Sequence, residues 1–208
     1  GLKLDHLLFI GSNRVAKKVA AQAAKNLVPT TLELGGKSPT IIGTNANMAL
    51  AAERILFSKT LNAGQICLSP DYIFVKKDEE INLISELQKA YSKFFPEPNS
   101  HNQTSMVNKH HLKRMNSYLL DATKKGATVE SLGKNDDLDK NMISTKIVTE
   151  VNDDMDVMKH EIFGPVLPIM TYDSISDVVD YINKNDNPLG LYYFGRSQSE
   201  QNFVINNT

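Results

Sequence analysis

Short apolar segments alternate with longer segments of helical periodicity along this chain. Runs typical of β-strands fall at residues 7–10, 31–34, 39–42, 72–75, 128–132, 143–151, 165–172 and 189–194. Apolar side chains recur at helical spacing over residues 15–23, 48–61, 79–95, 107–125 and 174–185. Strands that alternate with helices of this length favour an α/β fold, in which helices flank a largely parallel sheet.

Residues with strong local preferences mark the ends of several predicted helices. Asn47 is the predicted N-cap of the helix over 48–61, and Gly126 ends the helix over 107–125. Pro96 and Pro98 end the helix over 79–95, because proline cannot continue a helix. The polar stretch 133–141 is predicted to be a mobile loop, and nothing in it indicates a domain boundary.

The charge balance and the lack of apolar runs exclude some classes of partner. Lys and Arg number 23 against 24 Asp and Glu, so the net charge of −1 creates no field that would attract nucleic acid or an anionic membrane. No apolar run approaches the roughly 20 residues that cross a bilayer, and the N-terminus lacks the layout of a signal peptide. One cysteine cannot form an intrachain disulfide, which fits a reducing compartment. We therefore expect a cytoplasmic protein that binds neither nucleic acid nor membranes.

The histidines do not form the pattern of a metal site. His110 and His111 are adjacent on a predicted helix, so their rings point about 100° apart and cannot chelate one metal together. No histidine–carboxylate cluster has the spacing of a zinc site either. We expect a protein without a metal.

The only cysteine, Cys67, lies in residues 62–72, whose sequence is NAGQICLSPDY. Glu33 lies upstream in the segment LELGGK. A thiol and a carboxylate among small residues suit acyl transfer, in which the thiolate attacks a carbonyl carbon and the carboxylate activates the water that cleaves the thioester. A lone cysteine is otherwise most often a small buried side chain, so the flanking residues decide between these interpretations.

Several motifs in order along the chain resemble the aldehyde dehydrogenase superfamily, whose members oxidise aldehydes to acids with NAD or NADP. They are FIGS at 9–12, LELGGK at 32–37, the cysteine segment, EIFGP at 161–165 and NPLGLY at 187–192. The resemblance covers nearly the whole chain. The tripeptide PDY at 70–72 resembles the class-3 and coniferyl aldehyde dehydrogenase branch.

The resemblance implies roles for individual residues. It makes Cys67 the nucleophile and Glu33 the general base that activates the hydrolytic water. It also implies that Glu161 holds the hydroxyls of the nicotinamide ribose and that Phe163 lines the nicotinamide site. The backbone N–H of Cys67 is a candidate oxyanion donor.

Two further segments are candidate cofactor contacts. Leu34 and Gly35 lie in the glutamate motif, where paired glycines let the backbone approach a ligand closely. Gly11 and Ser12 form a small-residue turn between a strand and a helix, which suits a phosphate or simply ends the strand. The structural interpretation of this second turn is favoured, since Ala16 stands where many relatives have a second glycine.

The resemblance also implies that the chain is part of a longer family member. Residues 1–32 would be the C-terminal remnant of an NAD(P)-binding domain, and residues 33–208 a catalytic domain truncated at its C-terminus. The preceding part of such a protein would supply most of the cofactor site and an asparagine of the oxyanion hole. We therefore expect the chain by itself to be inactive and to bind NAD weakly, and the full-length protein to be a homodimer.

Alternatives remain open at the level of chemistry. A relative that passes its acyl group to coenzyme A is the main alternative, although Glu33 argues against it because a hydrolytic base works against acyl transfer. The identity of the aldehyde and the choice of NAD or NADP stay open.

Lys37 is expected to be the solvated tip of a glycine turn rather than a Schiff-base lysine. His160 is expected to be exposed, and four aromatic residues are expected to pack the core or wall an aldehyde tunnel, namely Tyr181, Tyr192, Tyr193 and Phe194.

Overall fold

The computed structural model describes residues 3–96, 103–134 and 136–208. The strands in these ranges are β1 (Leu7–Gly11), β2 (Thr30–Leu34), β3 (Pro39–Ile42), β4 (Tyr72–Lys76), β5 (Thr128–Ser131), β6 (Lys146–Thr149), β7 (Val166–Tyr172) and β8 (Tyr192–Phe194). The α-helices are α1 (Asn13–Ala24), α2 (Met48–Thr60), α3 (Glu80–Phe94), α4 (Lys109–Lys124), α5 (Asp156–Lys159), α6 (Ile175–Lys184) and α7 (Gln198–Asn207). Short 3₁₀ turns follow α2 at Leu61–Gly64 and precede α3 at Lys77–Glu79.

Six strands form one sheet in the order β5-β6-β7-β4-β3-β8. Every neighbouring pair is parallel except β5 and β6, which are antiparallel. Parallel strands need crossover connections, and helices supply them on both faces of the sheet. The predicted α/β fold, a largely parallel sheet flanked by helices, is confirmed.

The central strand β4 shows how the sequence divides the core between the two faces. Tyr72 and Phe74 point to one face, where they join a buried cluster with residues of α4 and α6. Ile73 and Val75 point to the other face, where they join a cluster with residues of α2 and α3. Because side chains alternate along a strand, the continuous apolar run of β4 can bury both of its faces at once.

Strands β1 and β2 form a separate parallel sheet on which α1 packs. Their register pairs Gly11 with Leu34 and Ile10 with Glu33. Leu8 and Ile10 remain 61% and 74% exposed. The predicted division between residues 32 and 33 falls inside β2, and the assignment of two domains stays a prediction.

Several boundaries agree with the sequence, and others do not. The side chain of Asn47 accepts a hydrogen bond from Leu50 N at 3.1 Å, which confirms it as the N-cap of α2. The strand predicted over 143–151 is only four residues long, and a left-handed residue, Glu150 (φ 57°), follows it. The strand predicted over 189–194 begins only at Tyr192.

Two helices were not predicted, α5 and α7. Helix α7 had a usable signal, since Ser197 and Glu200 have the spacing of a capping box and Glu200 N donates to Ser197 Oγ at 3.3 Å. Helix α5 has four residues, too few for a periodicity to show.

The polar stretch 133–141 folds back on the sheet where the structure describes it. Asp136 accepts a hydrogen bond from Ser144 N at 2.7 Å and pairs with Lys146 at 2.6 Å. Asp137 and Met142 exchange backbone hydrogen bonds. Residue 135 of this stretch, and Pro98 at the end of the third predicted helix, lie outside the described residues. Among the described residues, no helix is long and apolar enough to cross a membrane.

Candidate active site

Cys67 lies in a tightly folded loop that follows α2. Three consecutive residues before it have left-handed backbone conformations, with φ of 52° at Asn62, 55° at Ala63 and 70° at Gly64. Such φ values are rare for residues other than glycine, so the surroundings must hold this turn in place. A Cβ at Gly64 would lie 2.6 Å from the carbonyl oxygen of Gly164, so the turn packs closely against that backbone. The thiol of Cys67 itself is exposed.

Residues 65–71, which we call the Cys67 loop, are anchored before the cysteine by Gln65. Its amide nitrogen donates to Asn62 O at 2.9 Å and to Ser105 O at 3.2 Å. Its amide oxygen accepts a hydrogen bond from Val107 N at 2.9 Å. One side chain therefore ties the loop both to its own turn and to a distant segment.

Hydrogen bonds to backbone groups of the Cys67 loop anchor the part that follows the cysteine. The hydroxyl of Tyr192 donates to Leu68 O at 2.5 Å, and Lys59 Nζ donates to Pro70 O at 2.8 Å. Asp71 N donates to Ser38 O at 2.8 Å. The loop therefore presents a reactive sulfur on a fixed backbone, an arrangement that suits a positioned nucleophile.

Tyr192 stays protonated beside the cysteine. Burial raises the pKa of Tyr192, and negative charge at Cys67 raises it further. Its hydroxyl therefore remains a donor to Leu68 O when the neighbouring thiol ionises.

Lys59 is a fully buried lysine at the base of the same loop. Burial lowers the pKa of Lys59 from 10.5 to about 8; the charge of Asp71 opposes this effect and that of Lys37 adds to it. The sequence analysis did not single out Lys59. A signal was available, since Lys59 lies four positions after Ile55 on the buried stripe of α2.

An ion pair between Lys37 and Asp71 lies next to Lys59. Lys37 Nζ bonds to Asp71 Oδ2, and also donates to Val157 O at 2.9 Å and to His160 O at 3.1 Å. Its side chain is only 18% exposed, so the predicted solvated tip is wrong. The turn faces a carboxylate and two carbonyl groups instead of water. A paired ammonium is also a poor nucleophile, which argues against a Schiff-base role.

Asp71 connects the Cys67 loop to residues 157–163, which we call the Glu161 segment. Its Oδ1 accepts a hydrogen bond from Ile162 N at 2.9 Å, while its Oδ2 binds Lys37. The carboxylate is almost completely buried. A buried carboxylate with partners on both oxygens holds the two segments in a fixed relation.

The carboxylate of Glu161 lies against the glycine pair after β2. Gly36 N donates to Glu161 Oε1 at 3.3 Å. A Cβ at Gly35 would overlap that oxygen and lie 2.5 Å from the carboxyl carbon, so any side chain at this position would displace the Glu161 carboxylate. Burial raises the pKa of Glu161, and the charge of Asp71 raises it further. The structure thus brings together the candidate cofactor residues Leu34, Gly35 and Glu161.

Arg114 supports the other side of the Glu161 segment. Its guanidinium donates to Ile162 O at 2.7 Å and to Glu161 O at 3.2 Å. The next residue, Phe163, is half-buried with φ of 48°, a left-handed conformation that the bonded carbonyls help to hold. The sequence analysis missed Arg114, because a helical arginine carries no local sign that it binds carbonyls about 47 positions away.

Glu33, Gly11 and Ser12 lie near the carboxyl ends of β1 and β2. Glu33 is exposed on β2, and among the described residues no hydrogen bond joins it to Cys67. Gly11 pairs with Leu34, which brings it beside the glycine pair. Ser12 caps α1 through its backbone, since Val15 N and Ala16 N both donate to its carbonyl oxygen. Its side chain makes no capping hydrogen bond to any residue that the structure describes.

The remaining candidates have ordinary structural roles. His160 is exposed, as expected, and its ring stacks on Tyr118 with centroids 6.4 Å apart. Tyr181 packs edge-to-face against Tyr72 and Phe74, so it belongs to the core. Within the described residues, no group of three or more His, Cys, Asp or Glu could hold a metal ion.

Comparison with known proteins identifies the family. The model of the aldehyde dehydrogenase family matches residues 2–208. A probable coniferyl aldehyde dehydrogenase of Caulobacter vibrioides is 44% identical over 213 residues, which cover 100% of this chain and 44% of that protein. Coniferyl aldehyde dehydrogenase of a Pseudomonas strain is 40% identical over 212 residues, covering 98% of this chain and 44% of that protein.

A solved structure agrees with these matches. The substrate-bound AldH of Staphylococcus aureus superimposes with a TM-score of 0.92 and 38% identity, over 99% of this chain and 44% of that one. The chain thus spans less than half the length of the relatives it matches. The match of the family model over nearly every residue confirms the resemblance seen in the motifs, and the chain belongs to the aldehyde dehydrogenase family.

Proposed function

We propose that this chain supplies the nucleophile, the general base and the nicotinamide end of the cofactor site to an NAD(P)-dependent aldehyde dehydrogenase. The observation that carries the proposal is the exposed thiol of Cys67 on a loop fixed against the Glu161 segment. Membership of the aldehyde dehydrogenase family supports it further. Oxidation of an aldehyde to a carboxylic acid is the reaction that this arrangement serves.

The residues after β2 and around Glu161 fit a nicotinamide cofactor. The carboxylate of Glu161 is half-buried and accepts one long hydrogen bond from Gly36, so it keeps lone pairs for ribose hydroxyls. Gly35 leaves room for the carboxylate and for close approach of a ligand to the backbone. Leu34 and Phe163 would flank the ring, and Gly11 and Ser12 would lie further along the cofactor. The cofactor, when bound, accepts a hydride from the substrate carbon.

Cys67 performs the covalent chemistry in this proposal. Its thiolate attacks the aldehyde carbon and forms a tetrahedral thiohemiacetal, and loss of hydride from that carbon gives a thioester. The backbone N–H of Cys67 has no acceptor among the described residues, so it is free to bind the oxyanion. One such donor is worth about 3–4 kcal/mol of transition-state stabilisation.

Glu33 completes the cycle as the general base. Its exposed carboxylate makes no hydrogen bond to any described residue, so it is free to bind and deprotonate the water that attacks the thioester. Hydrolysis releases the acid and regenerates the Cys67 thiol. This role requires the carboxylate and the thioester to share one water, which kinetics can test.

The test compares Cys67→Ser and Glu33→Gln in the full-length protein with a coniferyl-type aromatic aldehyde and with aliphatic aldehydes, using NAD and NADP in turn. Cys67→Ser should lower kcat by at least about a thousandfold, because the hydroxyl is a much weaker nucleophile. Glu33→Gln should give one burst of reduced cofactor and then slow turnover, because acylation needs the thiolate and hydrolysis needs the base. Glu130→Gln, which alters another exposed strand glutamate, is the control and should behave as wild type.

A separate result would exclude each proposed role. Normal turnover by Cys67→Ser would exclude the nucleophile, and an unchanged steady-state rate in Glu33→Gln would exclude the base. Loss of the burst in Glu33→Gln would instead place Glu33 before acylation. An acyl-coenzyme A product from the wild-type protein would support the acyl-transfer alternative.

The preference for a substrate is also part of the proposal. The two relatives described above are named coniferyl aldehyde dehydrogenase, one of them as probable, so we propose an aromatic aldehyde of that kind as the first candidate. The panel of aldehydes decides this point through kcat/KM. That the full-length protein is a cytoplasmic homodimer, and that the 208-residue chain by itself is inactive, stay predictions.

A further inference from the structure

We propose that Lys37 is a positioning residue for the cofactor, which it affects through Glu161. Its ammonium group holds the Glu161 segment against the base of the Cys67 loop, and so fixes the place of the Glu161 carboxylate. This inference rests on the proposed function, because it takes Glu161 to hold the cofactor ribose.

The hydrogen bonds of Lys37 support this role. An ammonium group has three donors, and the structure gives Lys37 three acceptors. They are Asp71 Oδ2 in the Cys67 loop, and Val157 O and His160 O in the Glu161 segment, the latter two at 2.9 and 3.1 Å. The acceptors in the Glu161 segment are 120 and 123 positions away from Lys37 in sequence. One side chain thus bonds to both segments that carry the proposed chemistry.

Asp71 makes the connection rigid. It binds Lys37 with one oxygen and Ile162 N, the residue after Glu161, with the other. The side chain of Asp71 is 4% exposed, so loss of Lys37 would leave a buried carboxylate without its cation. The position of the Glu161 segment therefore depends on the ion pair.

Loss of Lys37 should displace Glu161 more than Cys67. The Cys67 loop keeps its bonds from Lys59 to Pro70 O and from Tyr192 to Leu68 O, which do not involve Lys37. The Glu161 segment would lose its bonds at Val157 and His160, and would keep those from Arg114 and the one from Ile162 N to Asp71. Cofactor affinity and thiol reactivity should therefore respond differently.

The first experiment measures both properties in the full-length protein. Lys37→Met should raise the Kd for NAD, measured by calorimetric titration, and the KM for NAD by about tenfold, the factor that corresponds to one lost net hydrogen bond. The KM for aldehyde and the rate at which iodoacetamide alkylates Cys67 should stay within about twofold of wild type. Lys93→Met, which breaks an exposed ion pair with Glu53, is the matched control and should change none of these values.

The second experiment separates positioning from a general loss of structure. If Lys37 acts on the cofactor through Glu161, adding Lys37→Met to Glu161→Gln should weaken NAD binding by less than about twofold further. Factors that multiply in the double variant would overturn the proposal. Should Lys37→Met fail to fold, as judged by circular dichroism, Asp71→Asn removes the ion pair while its side-chain oxygen still accepts from Ile162 N. Because Lys37 keeps its bonds to Val157 O and His160 O in that variant, the Kd for NAD should rise by more than about twofold but less than about tenfold, and an unchanged Kd would overturn the proposal.

The remaining outcomes distinguish this inference from the proposed function. A wild-type protein that binds neither NAD nor NADP would overturn both. A wild-type protein that binds NAD, together with a Lys37→Met variant of equal affinity, would overturn the positioning role alone. Alkylation of Cys67 that changes as much as NAD binding would show that Lys37 supports the whole site and not Glu161 in particular.

Discussion

The pH dependence of stability should reveal the buried ammonium of Lys59. Burial lowers the pKa of this lysine from 10.5 to about 8 in the folded protein. Below about pH 8 both the folded and the unfolded chain carry the proton, and the folded state bears the full cost of burying the charge. Between about pH 8 and 10.5 the unfolded chain binds more protons than the folded one, so stability rises with pH across that window.

The size of this effect follows from the same two values. A change of one in pKa corresponds to about 1.4 kcal/mol, so the buried charge costs the folded state about 3 kcal/mol. The hydrogen bond from Lys59 to Pro70 O survives deprotonation, because a neutral amine still donates, although more weakly than an ammonium group. The pH-dependent part of the stability therefore reports the net cost of the buried ammonium group, in which desolvation is the largest contribution and the charges of Asp71 and Glu161 offset part of it.

Urea denaturation at several pH values between about 7 and 10 measures how the free energy of unfolding changes with pH, with Lys59→Met as the reference protein. Other groups titrate in both proteins, so the difference between their free energies of unfolding isolates Lys59. This difference should shift in favour of the wild type by up to about 3 kcal/mol as the pH rises. Lys93 is exposed, so the difference in free energy of unfolding between the wild type and Lys93→Met should not change with pH. A flat difference for Lys59→Met as well would refute the reasoning, since it would mean that water reaches the ammonium group.

Two glycine substitutions test how the site is packed. Gly35→Ala should change the free energy of unfolding by less than about 1 kcal/mol, because the clashing Glu161 carboxylate is the end of a flexible side chain. The same substitution should weaken NAD binding by about tenfold, because it displaces that carboxylate. Calorimetric titration and thermal unfolding check this, and unchanged NAD affinity would contradict it. Gly64→Ala should cost at least about 2 kcal/mol, since the position has φ of 70° and a Cβ would meet the backbone oxygen of Gly164. At Gly126 φ is 98°, and a Cβ would meet no described atom within 4 Å apart from its chain neighbours, so Gly126→Ala isolates the backbone strain and should cost about 1 kcal/mol. Equal losses in the two variants would show that the Gly164 contact contributes nothing.

The sequence alone predicted the α/β class, because the two periodicities of buried strands and amphipathic helices are local properties. Element boundaries were less secure. Ile143 and Glu150 belong to a stretch, 143–151, that looks like one long strand, but only Lys146–Thr149 find strand neighbours. Pairing with β5 and β7 sets those limits, and no local pattern encodes it.

The family, and with it the candidate roles of Cys67, Glu33 and Glu161, also followed from short motifs in the sequence. The surroundings of these residues did not follow from those motifs. The sequence predicted a solvated Lys37, whereas the fold places it between Asp71 and carbonyl groups more than a hundred positions away. Whether a lysine meets water or a buried carboxylate depends on which distant segments pack together, and that is decided only when the chain folds.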